Sequence, residues 1–204
     1  HRGISFFLVD MKTPGIEVRP IINMAGKHEF NQIIFEDVRV PVNNMVGDEN
    51  RGWYVAVTLL DFERSGIDYS AKARRLLDDI RNYATNTLVH GDPIVQIPWV
   101  RAALAERYVE CETARLNAYN VAHMQNAGLI PNREASISKI FGSETVQKVS
   151  ETCMDILGMY AGLMSEQTRS VLNGRVQEYW MASFSDTIAA GTSEIQRNIV
   201  ATRG

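Results

Sequence analysis

At Gly52 the chain changes its period, and that switch narrows the folds open to it more than any other feature. Upstream, short apolar runs alternate with turn residues; downstream, three long helical stretches follow with only brief interruptions. Long helices joined by short connections must pack antiparallel, so the spacing predicts a mainly α architecture: an antiparallel helical bundle of the four-helix type behind a β region.

In the β region, Ile4 to Val9 is an apolar run followed by the turn Lys12-Thr13-Pro14-Gly15. Ile16 to Pro20 and Val38 to Val42 alternate apolar and polar residues, and Asn31 to Phe35 is a third strand candidate. Gly47 to Gly52 is a polar connector. The first long helix is expected from Trp53 to about Thr87, before Gly91-Asp92-Pro93. The second is expected from Val95 or Trp99 to Asn126, and the third from near Arg133 to about Leu157, with Gly158 as terminator. After less regular sequence, a last helix opens at Thr192 or Ser193, where Thr192-Ser193-Glu194 has the character of an N-cap.

Charge excludes some functions. With 21 Lys and Arg against 24 Asp and Glu, the net charge is −3, and no basic excess is present to neutralise a nucleic-acid backbone. No run of eighteen apolar residues occurs, so no bilayer-spanning helix is expected. Cys111 and Cys153 lie far apart without a CxxC, which fits reduced thiols in a cytoplasmic protein rather than a zinc site or disulfide framework. The opening at His1, in a strand-like run without an initiator Met, reads as a piece of a longer chain and leaves an upstream targeting signal open.

One residue interrupts the helical pattern. Trp53, Ala56, Leu60, Ile67 and Ala71 mark an inward stripe on the first helix, and Glu63 fills its gap. A carboxylate there either finds an Arg partner across the bundle, sits at a wet edge, or serves chemistry. The other candidates read as structural. Asp78-Asp79 beside Arg74, Arg75 and Arg81 is a solvated helix face, and His90 is a helix-end residue. Met154, Met159, Met164 and Met181 are core filler, and no histidine has a zinc-like spacing.

Two separated motifs carry a family resemblance. Phe35-Glu36-Asp37-Val38-Arg39-Val40-Pro41 with Gly47-Asp48-Glu49-Asn50-Arg51-Gly52-Trp53 resembles the end of the middle β domain of acyl-CoA dehydrogenases. Ala190-Gly191-Thr192-Ser193-Glu194-Ile195-Gln196-Arg197 resembles that family's terminal flavin- and substrate-contacting motif. The resemblance covers the whole chain. It implies residues 1–48 as the last strands of a β-barrel-like middle domain and 49–204 as the C-terminal bundle. An N-terminal α domain and the first half of the β domain would lie outside this chain.

The family's usual base is a Glu just before the Gly-Thr of the terminal motif; here that position is Ala190. A subgroup resembling isovaleryl-CoA dehydrogenase also has Ala there and takes its base from a segment similar to Leu60-Asp61-Phe62-Glu63-Arg64. The resemblance therefore implies Glu63 as the base that removes the α-proton of an acyl-CoA while the β-hydrogen leaves as hydride to FAD. It further implies Tyr54, Asp61, Arg64 and the backbone at Ala190-Gly191 as substrate contacts, and Thr192, Ser193 and Glu194 as FAD contacts. No metal is implied, and an electron-transferring flavoprotein would take the electrons.

Where the chain departs from the family, the changes share a direction. In the usual homotetramer a neighbouring subunit supplies an Arg in an RxxFG motif and a Gln before paired glycines to each FAD. Here the first motif aligns with Thr87-Leu88-Val89-His90-Gly91, a further Gln with Pro98, and the second motif with Asp155-Ile156-Leu157-Gly158-Met159. Thr87 cannot reproduce a bidentate pyrophosphate contact, Asp155 repels a diphosphate, and Met159 fills space left for close backbone approach. The donated half-site reads as lost and the chain's own half as kept. That pattern resembles one subunit type of the heteromeric steroid side-chain dehydrogenases, in which a sister subunit completes the site. A flavin-poor assembly subunit and an oxygen-using oxidase or monooxygenase of the same fold remain the alternatives.

Overall fold

The structure is a computed structural model that describes residues 2–63, 66–165 and 167–202, with side chains of 61–63 excepted. It divides into two compact units, residues 1–63 and residues 64–204.

In the first unit, β1 (Phe6–Phe7) pairs antiparallel with β4 (Met45–Val46), and β2 (Ile16–Ile22) pairs antiparallel with β3 (His28–Phe35). The turn before β2 depends on Gly15 at φ 92, where a Cβ would stand 2.2 Å from the Glu36 carbonyl oxygen. Val38 to Val42, expected as a strand, is unpaired. The Glu36 N–H still bonds the Gly15 carbonyl, but Asp37 then enters the left-handed region at φ 48 and turns the chain out of the ladder. Helix α1 (Gly52–Glu63) starts hard against β1: the Gly52 N–H donates to Ile4 O at 2.7 Å, leaving no room for a side chain.

The second unit is a helical bundle. Helix α2 (Ile67–Asn86) leads through a two-residue hairpin, β5 (Leu88–Val89) and β6 (Asp92–Pro93), into α3 (Pro98–Asn126). Helix α4 (Asn132–Leu157) follows, then α5 (Arg175–Asp186) and α6 (Ser193–Thr202). The hairpin turn is His90-Gly91, both at positive φ as a type I′ turn requires, so His90 is a turn residue and not a helix end. Pro98 opens α3, where its missing N–H costs no helical bond. Among the described residues no helix is long and apolar enough to cross a membrane.

The single helix expected from Trp53 to Thr87 is instead α1 and α2, with Gly66 at φ 71 immediately before α2. A left-handed residue cannot continue a right-handed helix, and a Cβ at Gly66 would sit 2.9 Å from Ser138 Oγ. The stripe drawn through one continuous helix fails with it. Ile67 and Trp53 are each 41% exposed and Ala71 is exposed, while α2 buries Ser70, Ala73, Leu76, Leu77, Ile80 and Ala84.

Helix α4 is the centre of the bundle and packs against α2, α3, α5 and α6. Its buried surface runs nearly all round, yet much of it is small and polar: Ser136, Ser138, Ser143, Thr145, Ser150 and Thr152. The Ser136, Ser143 and Ser150 hydroxyls donate to carbonyls one turn back, which satisfies them without partners from other helices and lets neighbours approach closely. The apolar core is Leu76 and Ile80 of α2, Val100 and Leu104 of α3, Val146 and Val149 of α4, and Val176 of α5. Met154 packs on this core, but Met159 is 97% exposed and Met164 is exposed, so these two are not filler. Asp78 and Asp79 are paired carboxylates: Asp78 accepts from Arg74 and stands 3.3 Å from Arg81, and Asp79 binds Arg175 of α5.

Candidate active site

The turn between α5 and α6 gathers the terminal motif. Ile188 and Ala189 N–H groups donate to Ser185 O, and the Ser193 N–H reaches back to Thr187 O at 3.0 Å, closing the turn. Ala190 and Gly191 then stand at φ 53 and 88. Gly191 accepts that conformation freely; for Ala190 it costs about 1–2 kcal/mol, so the surroundings must impose it. Helix α6 begins at Ser193, and Thr192 caps it by accepting the Ile195 N–H at 3.3 Å. The cap expected at Thr192 is thus present.

Beside this turn lies a cleft of about 410 Å³, lined by Thr192, Ser193 and Glu194 on one side and by Glu144, Lys148 and Glu151 of α4 on the other. The three residues assigned to cofactor contact share one wall, with Ala190 and Gly191 directly preceding them. Ser193 Oγ is buried and has no hydrogen-bond partner among the described residues. The Glu194 carboxyl is held below its usual range by the hydrogen bond from its own backbone N–H, then by the Thr192 hydroxyl. Two cations near the cleft are already engaged: Arg197 donates to Glu144 at 2.6 Å, and Lys148 to Glu110 of α3 at 3.0 Å.

Tyr54 belongs to the first unit, where it is exposed with the Arg51 guanidinium 4.4 Å from its ring centre. Asp61 and Glu63 lie on α1, but their side chains, like all of Arg64, are outside the described residues. Three further residues stand close to the terminal turn. Gln196 is fully buried and donates from Nε2 to Ala190 O at 2.8 Å. Lys139 of α4 is 2% exposed, and its Nζ has no hydrogen-bond partner among the described residues. Asp186, at the end of α5, has its carboxyl raised by burial and stands 3.7 Å from Lys72. Lys139 had one signal, a long cation set among Ser136, Ser138, Gly142 and Ser143.

Thr87, Pro98 and Asp155 lie at one end of the bundle. Arg74 of α2 reaches Glu112 of α3 at 2.7 Å, and Lys148 of α4 reaches Glu110, so these positions share a level. Counting along each helix from that level brings Thr87, Pro98 and Asp155 to the same end, where α2 and α4 finish and α3 starts. Asp155 is exposed there, and Met159 projects almost wholly into solvent.

Residues 50–204 match the family model described as acyl-CoA dehydrogenase, C-terminal domain. The chain belongs to the acyl-CoA dehydrogenase family. Among its relatives is acyl-CoA dehydrogenase FadE26 of Mycobacterium tuberculosis, 33% identical over 205 residues, a match covering 98% of this chain and 51% of FadE26. Among solved structures, the Tcur3481-Tcur3483 steroid ACAD G363A variant superposes with a TM-score of 0.92 at 29% identity, covering 100% of this chain and 52% of that one. The ChsE4-ChsE5 complex of Mycobacterium tuberculosis superposes with a TM-score of 0.88 at 33% identity, covering 98% and 52%. The chain therefore spans about half the length of the acyl-CoA dehydrogenases it matches, and its mainly α bundle is the C-terminal helical domain of that family's fold.

Proposed function

We propose that the complete protein carries out FAD-dependent α,β-dehydrogenation of an acyl-CoA thioester, with this chain supplying the base and one wall of the site. The observation that carries the reading is the Ala190–Glu194 turn, whose backbone is strained into place beside a cleft in a chain of this family. Thr192, Ser193 and Glu194 suit FAD: all three line the cleft, the buried Ser193 hydroxyl has no partner among the described residues, and α6 begins there. FAD bound at that wall would accept the substrate's β-hydrogen as hydride.

The chain's own residues do the rest. Ala190 has no group that accepts a proton, so the α-proton goes to a carboxylate elsewhere, and Glu63 at the end of α1 is the one we assign. The backbone at Ala190-Gly191 orients the thioester, and Tyr54, Asp61 and Arg64 complete its enclosure. Residues 1–48 then continue a middle β domain, which agrees with the exposed apolar side chains Val18, Ile21, Phe30 and Phe35 on the β2–β3 ribbon.

Thr87, Asp155 and Met159 favour a heteromer over a homotetramer. At the bundle end they offer a neighbour's FAD no guanidinium, one negative charge and one bulky side chain. A sister subunit with an intact Arg motif would complete the site, and the ChsE4-ChsE5 complex supports pairing of this kind. An electron-transferring flavoprotein would take the electrons.

The test is purification of the full-length protein alone and with a co-expressed sister subunit, followed by flavin counting. Each preparation is then mixed anaerobically with butyryl-, isovaleryl-, octanoyl- and steroid side-chain-CoA thioesters. Expected are fewer flavins than chains, and flavin bleaching by at least one thioester only in the co-expressed complex. One tightly bound FAD per chain in a purified homotetramer would refute the heteromer, and a flavin-loaded complex bleached by none of the thioesters would refute the dehydrogenase reading.

A further inference from the structure

We propose that Gln196 is a positioning residue of the acyl-CoA site: its side-chain amide sets the direction of the Ala190–Gly191 peptide. The inference rests on the functional reading above. Gln196 reaches back six residues from the first turns of α6 to the Ala190 carbonyl, while its own N–H donates to Thr192 O at 2.9 Å. Its Nε2 also lies 2.6 Å from where a Gly191 Cβ would stand, so only a residue without a side chain leaves room for the amide.

Fastening one side of a trans peptide fixes the other. The C=O and N–H of a trans peptide point in opposite directions, so an Ala190 carbonyl turned to Gln196 directs the Gly191 N–H away from it. The N–H groups of Ala190, Gly191 and Thr192 donate to no backbone carbonyl among the described residues. They are therefore free to serve an oxygen acceptor on a ligand such as a thioester carbonyl, and Gln196 decides where Gly191's points.

Packing alone does not account for an amide at this position. Gln196 is 0% exposed, yet its Oε1 has no hydrogen-bond partner among the described residues. Burying an unpaired carbonyl oxygen is unfavourable, and an apolar residue of similar length would fill the space without that cost. What an apolar residue cannot do is donate to Ala190 and keep two successive residues left-handed.

Gln196→Met, made in the complete flavin-loaded protein, removes the donor at nearly constant volume. Gly191→Ala attacks the same hydrogen bond from the other side, because its methyl displaces the amide. Each is assayed with the thioester that the wild type turns over fastest, and binding of the corresponding enoyl-CoA is measured by calorimetry. Expected is a fall in kcat/KM of about 10- to 100-fold and at least tenfold weaker enoyl-CoA binding, since a small misplacement of a reacting group is costly. Flavin content and melting temperature of Gln196→Met stay at wild-type values. The double variant is expected to be no worse than the more impaired single one, because both changes act through one bond.

A kcat/KM within twofold of wild type in Gln196→Met overturns the proposal. So does a loss that follows lowered flavin content or a lowered melting temperature, and so do two defects that multiply. If Gln196→Met does not fold, Gln196→Leu, which also lacks the donor, decides by the same criteria. A wild type inactive on every thioester overturns the functional reading, whereas an active wild type with an indifferent Gln196→Met overturns only the role of Gln196.

Discussion

Glu63→Gln is expected to lower kcat for acyl-CoA dehydrogenation by about a thousandfold, while flavin content and assembly stay as in the wild type. The substitution keeps the shape of the side chain and removes only its capacity to take a proton. Thioester α-protons are weakly acidic, so the reaction needs a base held over Cα as the β-hydrogen departs. Ala190 cannot substitute, because its side chain is a methyl group with no proton acceptor. Stopped-flow bleaching of the flavin by substrate measures the step directly, free of electron-acceptor effects. Near-normal bleaching in Glu63→Gln would place the base elsewhere.

Lys139→Met is expected to stabilise the bundle by about 1–3 kcal/mol at neutral pH, because a buried cation with no hydrogen-bond partner among the described residues is replaced by an apolar chain of similar length. Burial pushes the Lys139 ammonium below its ordinary pKa, while Asp186 on α5, Glu194 on α6 and Glu144 on α4 pull it partly back. The sign of the pH dependence follows. Between the lowered folded value and the ordinary value of 10.5, the unfolded chain binds the proton that the folded chain has given up. Wild-type stability therefore rises with pH across that window relative to Lys139→Met, and the gap narrows from the acid side. Chemical denaturation of both proteins at several pH values between 7 and about 10 checks this. A variant less stable than wild type at every pH would mean that Lys139 has a partner holding it in place.

The ends of α3 and α4 were legible because each has a chemical marker. Pro98 can begin a helix but not continue one, Gly128 and Pro131 separate α3 from α4, and Gly158 at φ 54 ends α4. The division between α1 and α2 was not legible, since Gly66 sits in a helix-like pattern and the close approach of Ser138, 2.9 Å from where its Cβ would stand, is a tertiary feature. Helix α5 is hard to read in the sequence because two of its three buried residues, Gln177 and Ser183, are polar. The wall formed by Thr192, Ser193 and Glu194 could be read from capping chemistry and resemblance together. Gln196 could not, because a hydrogen bond spanning six residues depends on the unusual backbone at Ala190 and Gly191. Met159 was misread for a related reason: methionine suits a core, and only the bundle's geometry puts this one in water.

The two cysteines give the bundle a built-in clock. Both are buried as free thiols, Cys111 on α3 and Cys153 on α4, and burial pushes the Cys111 thiol up to about 12 and the Cys153 thiol up as well. Only the thiolate attacks an alkylating or disulfide reagent, so in the closed bundle neither has an appreciable reactive fraction at neutral pH. Their modification must wait for the helices to part, which makes its rate a running count of how often α3 and α4 open. A bound ligand or sister subunit that tightens the bundle would slow that clock without touching either sulfur.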